Sequence, residues 1–392
     1  MTAATNVESD VRPAASRSSR DGQLDPRNNS LNLLRLVLAL AVLVSHSFPI
    51  GGFGPGPVWA GENLGGWAVV GFFLISGYLI AGSRLRSRGG QFLVNRIARI
   101  FPAFWLSLIA VAAGFALFGY WYERGTVDGY ATTPNTPLNF VVANGLLKIA
   151  DYSVAGTLQQ APLAGSWNGS LWTLYFEFLS YLLVGVLLTF GFMRRSVWPM
   201  AVVFLMSVAA RATYPTWGVY VGGNMDVDLF LKLVPFFLGG ALLLMVKDRI
   251  RLVWWGAALA AAASVALVSF SNYWGGHLAA PLLAYVIFWV GKTLPAPRLV
   301  QVHDISYGVY VYAWPSTQLM VLLGVHEHGV LALIGASTLL TLPLATASWL
   351  FLEKPVMEWV KRRRRTAALG EAPTGSGEPA SPEPAGVPAG SR

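Results

Sequence analysis

Apolar residues in this chain come in long blocks, not in period-two alternation or narrow amphipathic stripes. A helix needs roughly 20 apolar residues to cross a bilayer core of about 30 Å. Ten blocks approach that length: 31–50, 65–82, 100–119, 170–191, 197–210, 229–247, 251–270, 277–291, 305–323 and 330–352. The blocks at 197–210 and 277–291 are short, so their ends are the loosest. The pattern predicts an all-α fold, a polytopic integral membrane protein with about ten transmembrane helices. The first block does not read as a cleavable signal, because a 30-residue polar segment precedes it and no small-residue cleavage site follows. Residues 1–29 and 366–392 lack periodicity and read as disordered tails around a membrane domain at 30–360. The basic cluster Lys361–Arg365 that opens the C-terminal tail segment (361–392) suits anionic headgroups. The longest loop, 120–169, is a candidate lid, and no internal repeat is evident.

Composition agrees. Hydrophobic residues make up 54% of the 392 and charged residues only 12%, against about 25% charged in a typical soluble domain. Disorder is excluded, and a water-soluble enzyme is disfavoured. The net charge of +9 would by itself suit nucleic acid or an anionic membrane. Its placement decides between them. With a cytoplasmic N-terminus, the inner segments hold 22 Lys and Arg and the outer loops only three, Arg124, Lys148 and Arg211. That is a positive-inside pattern; it predicts cytoplasmic termini and a multi-pass protein of the cell membrane, with no nucleic-acid partner. There is no cysteine, and the five histidines show no HxxxH or HxxH spacing, so neither thiolate chemistry nor a metal site is expected.

Ionisable residues inside spans are costly and are functional candidates by default. Arg35, His46, Glu177 and Lys232 fall within the blocks. Lys232 is near the outer end of its block and can snorkel. Arg35 and His46 are 11 residues apart, almost three helical turns, which puts them on one face about 16 Å apart along the axis. Glu177, the one acid within the blocks, lies about 9 Å below the outer surface by helix rise, a depth similar to that of His46. A facing histidine would neutralise it, giving either an ion pair between helices or a general base with its orienting carboxylate. Thr173, one turn before Glu177, is placed to hydrogen-bond it.

Six segments, in order, resemble the acyltransferase 3 family of integral membrane enzymes, over about Asn29 to Pro355. LRLVLALAVLVSHSFP is similar to the family's arginine-X10-histidine signature through Arg35 and His46, and GFFLISGYLI to its FF-x-x-SGF segment. The inner loop FLVNRIARIFPAFW carries Arg96, Arg99 and Pro102 at the family spacing. NGSLWTLYFEF places Trp172, Thr173 and Glu177 on a tryptophan-Ser/Thr-leucine-x-x-glutamate pattern. DISYGVYVYAWP and FLEKP resemble the family's ISYSLYLWHWP and Glu-Lys/Arg-Pro stretches. One departure stands out: Ala313 occupies the position where many members have a histidine before Trp-Pro.

The resemblance implies an O-acyltransferase that moves an acyl group, most simply acetyl, from cytoplasmic acyl-CoA to a hydroxyl of an extracytoplasmic carbohydrate or glycolipid. Acyl-CoA would be a donor substrate, with no tightly bound cofactor. His46 would be the general base and Glu177 its partner; an acyl-histidine intermediate is the alternative. Arg35, Arg96 and Arg99, at the inner face, would meet the donor phosphates. Trp172 and Thr173 are candidate substrate contacts. Ser76, Gly77 and Gly71 read as small residues permitting close helix approach; Asp304 and Ser306 as helix caps; Glu353, Lys354 and Pro355 as the end of the last helix. The competing reading is a permease or flippase using the buried His/Glu/Arg set. A plain scaffold leaves those charges without purpose. The Ala and Arg bias suits a GC-rich bacterial genome.

Overall fold

The computed structural model describes residues 23–25, 28–295 and 297–370, with side chains described as far as Arg363. A helix stands at each of the ten apolar blocks. In chain order the elements are α1 (Leu31–Ile50), a two-residue hairpin β1 (Val58–Trp59) and β2 (Glu62–Asn63), α2 (Leu64–Leu85), α3 (Gly89–Ala110), α4 (Ala116–Arg124) and α5 (Pro137–Asn144). There follow α6 (Trp172–Leu187), the single turn α7 (Gly191–Arg195), α8 (Trp198–Trp217), α9 (Met225–Val246), α10 (Trp254–Phe270), the short α11 (Gly275–Leu278) and α12 (Ala280–Thr293). The last are α13 (Arg298–Val302), α14 (Ser306–Leu322), α15 (Val330–Ser348) and α16 (Lys354–Gly370). A π turn at Val111–Phe115 joins α3 to α4, and another at Trp349–Glu353 joins α15 to α16. The hairpin is antiparallel, Val58 opposite Asn63 and Trp59 opposite Glu62.

Among the described residues, five helical stretches are long and apolar enough to cross a membrane: Leu31–Ile50, Leu64–Leu85, Gly89–Arg124, Met225–Val246 and Val330–Arg363. Trp172–Leu187, Trp254–Phe270 and Ala280–Thr293 are apolar but shorter. Helices satisfy their own backbone, which is what a chain in hydrocarbon requires. Large apolar side chains point outward from the bundle, among them Leu331, Leu339 and Phe351 on α15 and its π turn and Trp254 and Phe270 on α10; that is the surface of a multi-pass membrane protein. The end holding the start of α1 and the α2–α3 turn is the basic end. The opposite end, which holds the 125–171 segment, is the loop end.

Local chemistry starts the helices where the loops stop. Asn63 caps α2 by accepting from the Gly66 amide; Asn224 caps α9, accepting from Asp226 and Val227, with Asp226 and Asp228 in the first turn against the helix dipole. Antiparallel α2 and α9 pack without a side-chain layer at two glycines. A Cβ at Gly77 would sit 1.9 Å from the Phe237 carbonyl oxygen, and one at Gly240 would sit 2.0 Å from that of Leu74. The small-residue reading of Gly77 is borne out.

Several boundaries differ from the sequence reading, each at a charge. The helix expected at 100–119 begins eleven residues earlier, at Gly89, so Arg96, Arg99 and Pro102 lie on α3 and not in an inner loop. The block at 197–210 continues to Trp217 and takes in Arg211, a loop residue by the sequence pattern. Glu353 does not end the last helix: it sits in the π turn leading into α16. Helix α16 runs through the basic cluster to Gly370, past the expected tail boundary at 366, because Lys, Arg, Ala and Leu all favour helix. The rest of the two predicted tails, 1–22, 26–27 and 371–392, lies outside the described residues.

Candidate active site

Arg35 and His46 share a face of α1, as their spacing predicts, and both meet α14 or the turn before it. At the basic end Arg35 Nη1 is 2.5 Å from Asp304 Oδ2, and Arg99 Nη2 from α3 reaches the same oxygen at 2.6 Å. Arg99 Nη1 is 3.3 Å from Glu353 Oε2, and its guanidinium lies over the rings of Tyr307 and Trp349 at 5.9 and 5.6 Å. Ser306 donates to the other Asp304 oxygen at 2.6 Å, and Ser348 donates to Glu353 at 3.2 Å. Burial works to raise the Asp304 pKa, but Arg35 and Arg99 overcome it and hold the carboxyl down at about 2. Asp304 is therefore not a helix cap: Ile305 occupies the cap position with no side-chain cap bond. It is the hub joining α1, α3 and α14.

Glu177 sits midway along the bundle on α6. Its Oε1 accepts from Ser76 of α2 at 2.6 Å and from Tyr181, one turn on, at 2.7 Å. Ser76 thus does more than allow close packing. Arg96 is in electrostatic reach of Tyr181 and Glu177, and its buried Nε has no hydrogen-bond partner. Glu177 borders a narrow space of about 30 Å³ shared with Arg35, Phe72, Thr173, Tyr307 and Tyr310.

His46 lies elsewhere, in the wall of a cavity of about 460 Å³ toward the loop end, with Trp67, Trp172, Thr173, Tyr310 and Trp314 among its neighbours there. Its ring meets Trp314 edge-on, centroids 4.7 Å apart, and its Nδ1 is buried without a hydrogen-bond partner. Trp314 is held in turn by a bond from its Nε1 to the Ser166 carbonyl at 2.9 Å. Thr173 does not bond Glu177: its hydroxyl pairs with that of Tyr310, which donates to the Ser170 carbonyl at 2.8 Å. Thr173, Tyr310 and Val69 line both spaces, so this hydroxyl pair, with Val69, is the partition between the His46 cavity and the Glu177 cleft.

The expected His46–Glu177 contact is absent; among the described residues Glu177 takes its hydrogen bonds from Ser76 and Tyr181 alone. Helix rise gives depth but not direction around the axis, and Glu177 faces α2. The sequence reading also missed a third space of about 500 Å³ at the basic end, bordered by Asn32, Tyr78, Arg86, Lys247 and Phe288. Lys232, expected to snorkel, instead pairs with Glu62 at 2.5 Å and lines the His46 cavity. Ala313 is buried on α14 next to Trp314, and its carbonyl accepts from Thr317.

The profile of the acyltransferase domain, acyltransferase 3, matches residues 28–351. The chain is 26% identical over 372 aligned residues to "Nodulation protein 10" of Rhizobium leguminosarum bv. viciae, covering 84% of this chain and 93% of that protein. It is 27% identical over 343 residues to "O-acetyl transferase" of Shigella phage Sf6, covering 84% of this chain and 96% of that protein. No solved structure matches. With the family profile covering the chain from Asn28 to Phe351, well over half of its length, the chain belongs to the acyltransferase 3 family and is an acyltransferase.

Proposed function

We propose that the protein is an O-acetyltransferase that uses acetyl-CoA from the cytoplasm to acylate a hydroxyl of a carbohydrate or glycolipid on the other side of the cell membrane, with His46 as general base. The observation that carries this is the imidazole of His46, its buried Nδ1 without a hydrogen-bond partner, in a cavity walled by Trp67, Trp172 and Trp314. Aromatic faces suit a sugar ring, and a histidine free of other bonds is available to a hydroxyl. The name of the phage relative agrees with O-acetyl transfer. The 22 inner Lys and Arg support a cytoplasmic basic end, and hence a cytoplasmic donor.

In the reaction the acceptor O–H gives its proton to the imidazole as its oxygen bonds the acyl carbon. The carbon–sulfur bond then breaks, and the CoA thiolate leaves and takes the proton from the imidazolium. Glu177 acts across the Thr173–Tyr310 partition, by its charge, and not by contact. Trp172 and Thr173 border the acceptor. Arg35 and Arg99 are engaged by Asp304 and Glu353, so we assign them to hold the donor route in shape. Arg96, with its free Nε, and Arg86 and Lys247 around the basic-end cavity are left for donor phosphates.

Purified protein in lipid nanodiscs is given acetyl-CoA with extracts of candidate acceptors, and CoA thiol release and acceptor mass are followed. Acceptor-dependent release with a gain of one acetyl group is expected, and its loss in His46→Ala. Full activity of His46→Ala removes the proposed base.

A further inference from the structure

The His46 cavity has a second polar wall that the acyl transfer leaves unused. Arg211 of α8 pairs through Nη1 with Asp228 of α9 and stacks on Tyr273 at 4.1 Å. Its side chain is only 9% exposed, and its Nε is buried with no hydrogen-bond partner. On α11, His277 is 7% exposed; its Nε2 stands 3.0 Å from the Lys232 carbonyl oxygen, and its Nδ1 is buried without a partner. A ring nitrogen facing a carbonyl oxygen carries the proton, so in the neutral ring Nδ1 is an acceptor. The wall therefore presents one unmet cationic donor and one unmet acceptor. Buried polar atoms of this kind call for a partner. Arg211 and Lys232 line the cavity, and each already has a carboxylate partner, Asp228 and Glu62, so what Arg211 has left for a ligand is its Nε–H edge and not an excess of charge.

We propose that this wall selects an acceptor bearing a carboxylate beside a hydroxyl, as in a uronic acid, an inference that rests on the acyltransferase reading of the same cavity. The carboxylate takes the Nε–H edge of the Arg211 fork, the geometry in which guanidinium holds a planar anion. The neighbouring hydroxyl donates to His277 Nδ1. Trp67 lies along the same cavity for the apolar face of the ring, and a hydroxyl at the far side of the sugar meets His46.

The test is equilibrium binding of methyl β-D-glucuronide and methyl β-D-glucoside to the full-length protein in neutral-lipid nanodiscs at pH 7. The glucuronide is expected to bind about tenfold more tightly, the scale of one charge-assisted hydrogen bond. Arg211→Lys keeps a cation opposite Asp228, so the fold is retained, but it lacks the Nε–H edge; the preference should fall below about threefold. His277→Phe should weaken both sugars and leave their ratio. His46→Ala should leave the ratio as in the unaltered protein. Glucuronide binding no tighter than glucoside, including no binding of either, overturns the proposal, as does a ratio unchanged in Arg211→Lys. Transfer surviving in His46→Ala would instead strike His46 as the base in this cavity, with the binding ratio untouched.

Discussion

The ion-paired cluster at one end of α1 and the His46 cavity at the other treat polar groups in opposite ways, although Arg96, on the same helix as Arg99, also keeps an unpartnered Nε. At the basic end Arg35 shares Asp304 with Arg99, and Glu353 completes the set; the two carboxylates have further bonds from Ser306 and Ser348. At the loop end His46, His277 and Arg211 each keep a buried nitrogen with no partner. Both groups are enclosed, so burial does not separate them. Satisfaction does. A saturated cluster holds helices together, and unmet donors and acceptors around a cavity wait for a ligand.

The sharpest way to break that contrast is to remove one residue from each end. His46→Ala takes away a general base, and transfer should fall by about 10²–10⁴-fold, measured as CoA thiol release. Its effect on stability should stay within about 1 kcal/mol, because no hydrogen bond is lost. Asp304→Ala should do the reverse: it leaves Arg35 and Arg99 buried against each other, a loss of about 3–5 kcal/mol. Thermal melting in a fixed detergent reports it. If Asp304→Ala melts with the unaltered protein, the basic-end cluster does not clamp the helices.

Acid titration probes the same clamp more gently. The Asp304 carboxyl titrates at about 2 in the folded protein, below its ordinary value of 3.8. Its contribution is thus fully present above about pH 4 and is lost as the pH falls through 2. The shift is worth roughly 2 kcal/mol, and the difference in melting between the unaltered protein and Asp304→Asn should narrow over that window. A difference that stays constant from pH 5 to pH 2 contradicts the ion-paired state.

The contrast also explains what the sequence made legible. Every apolar block became a helix, since a long apolar run has one way to satisfy its backbone in lipid. The blocks misled only where a charge interrupted them. Arg99, Arg211 and Glu353 were treated as water-facing, but each lies within a helical stretch because a partner from another helix or from the turn before one meets it: Asp304 for Arg99, Asp228 for Arg211, Arg99 for Glu353. Such partners are distant in sequence, by 205 residues for Arg99 and Asp304, so nothing local announces them. The site was legible in kind and not in wiring. His46 and Glu177 could be named as buried ionisable groups, and their depths followed from helix rise. The direction of Glu177 around α6 depends on how α2 packs against it, and that is set by the glycine contacts of α2 with α9.

Ser76 is where the smallest predicted effect sharpens the comparison most. Its place beside Gly77 suggests a spacer, yet its hydroxyl donates to Glu177 at 2.6 Å. If spacing were its whole role, Ser76→Ala, which is no larger, would be neutral. If the bond matters, the variant leaves Glu177 with Tyr181 as its one remaining donor, costing about 1 kcal/mol. Ser76→Ala should therefore melt slightly earlier, and it should lower transfer by only a few-fold, because Glu177 keeps its charge. Gly77→Ala supplies the opposite control: a Cβ there collides with the Phe237 carbonyl, so it should cost more stability while leaving the Glu177 bonds in place. A Ser76→Ala variant with unchanged melting and turnover would return Glu177 to the class of groups that are merely enclosed.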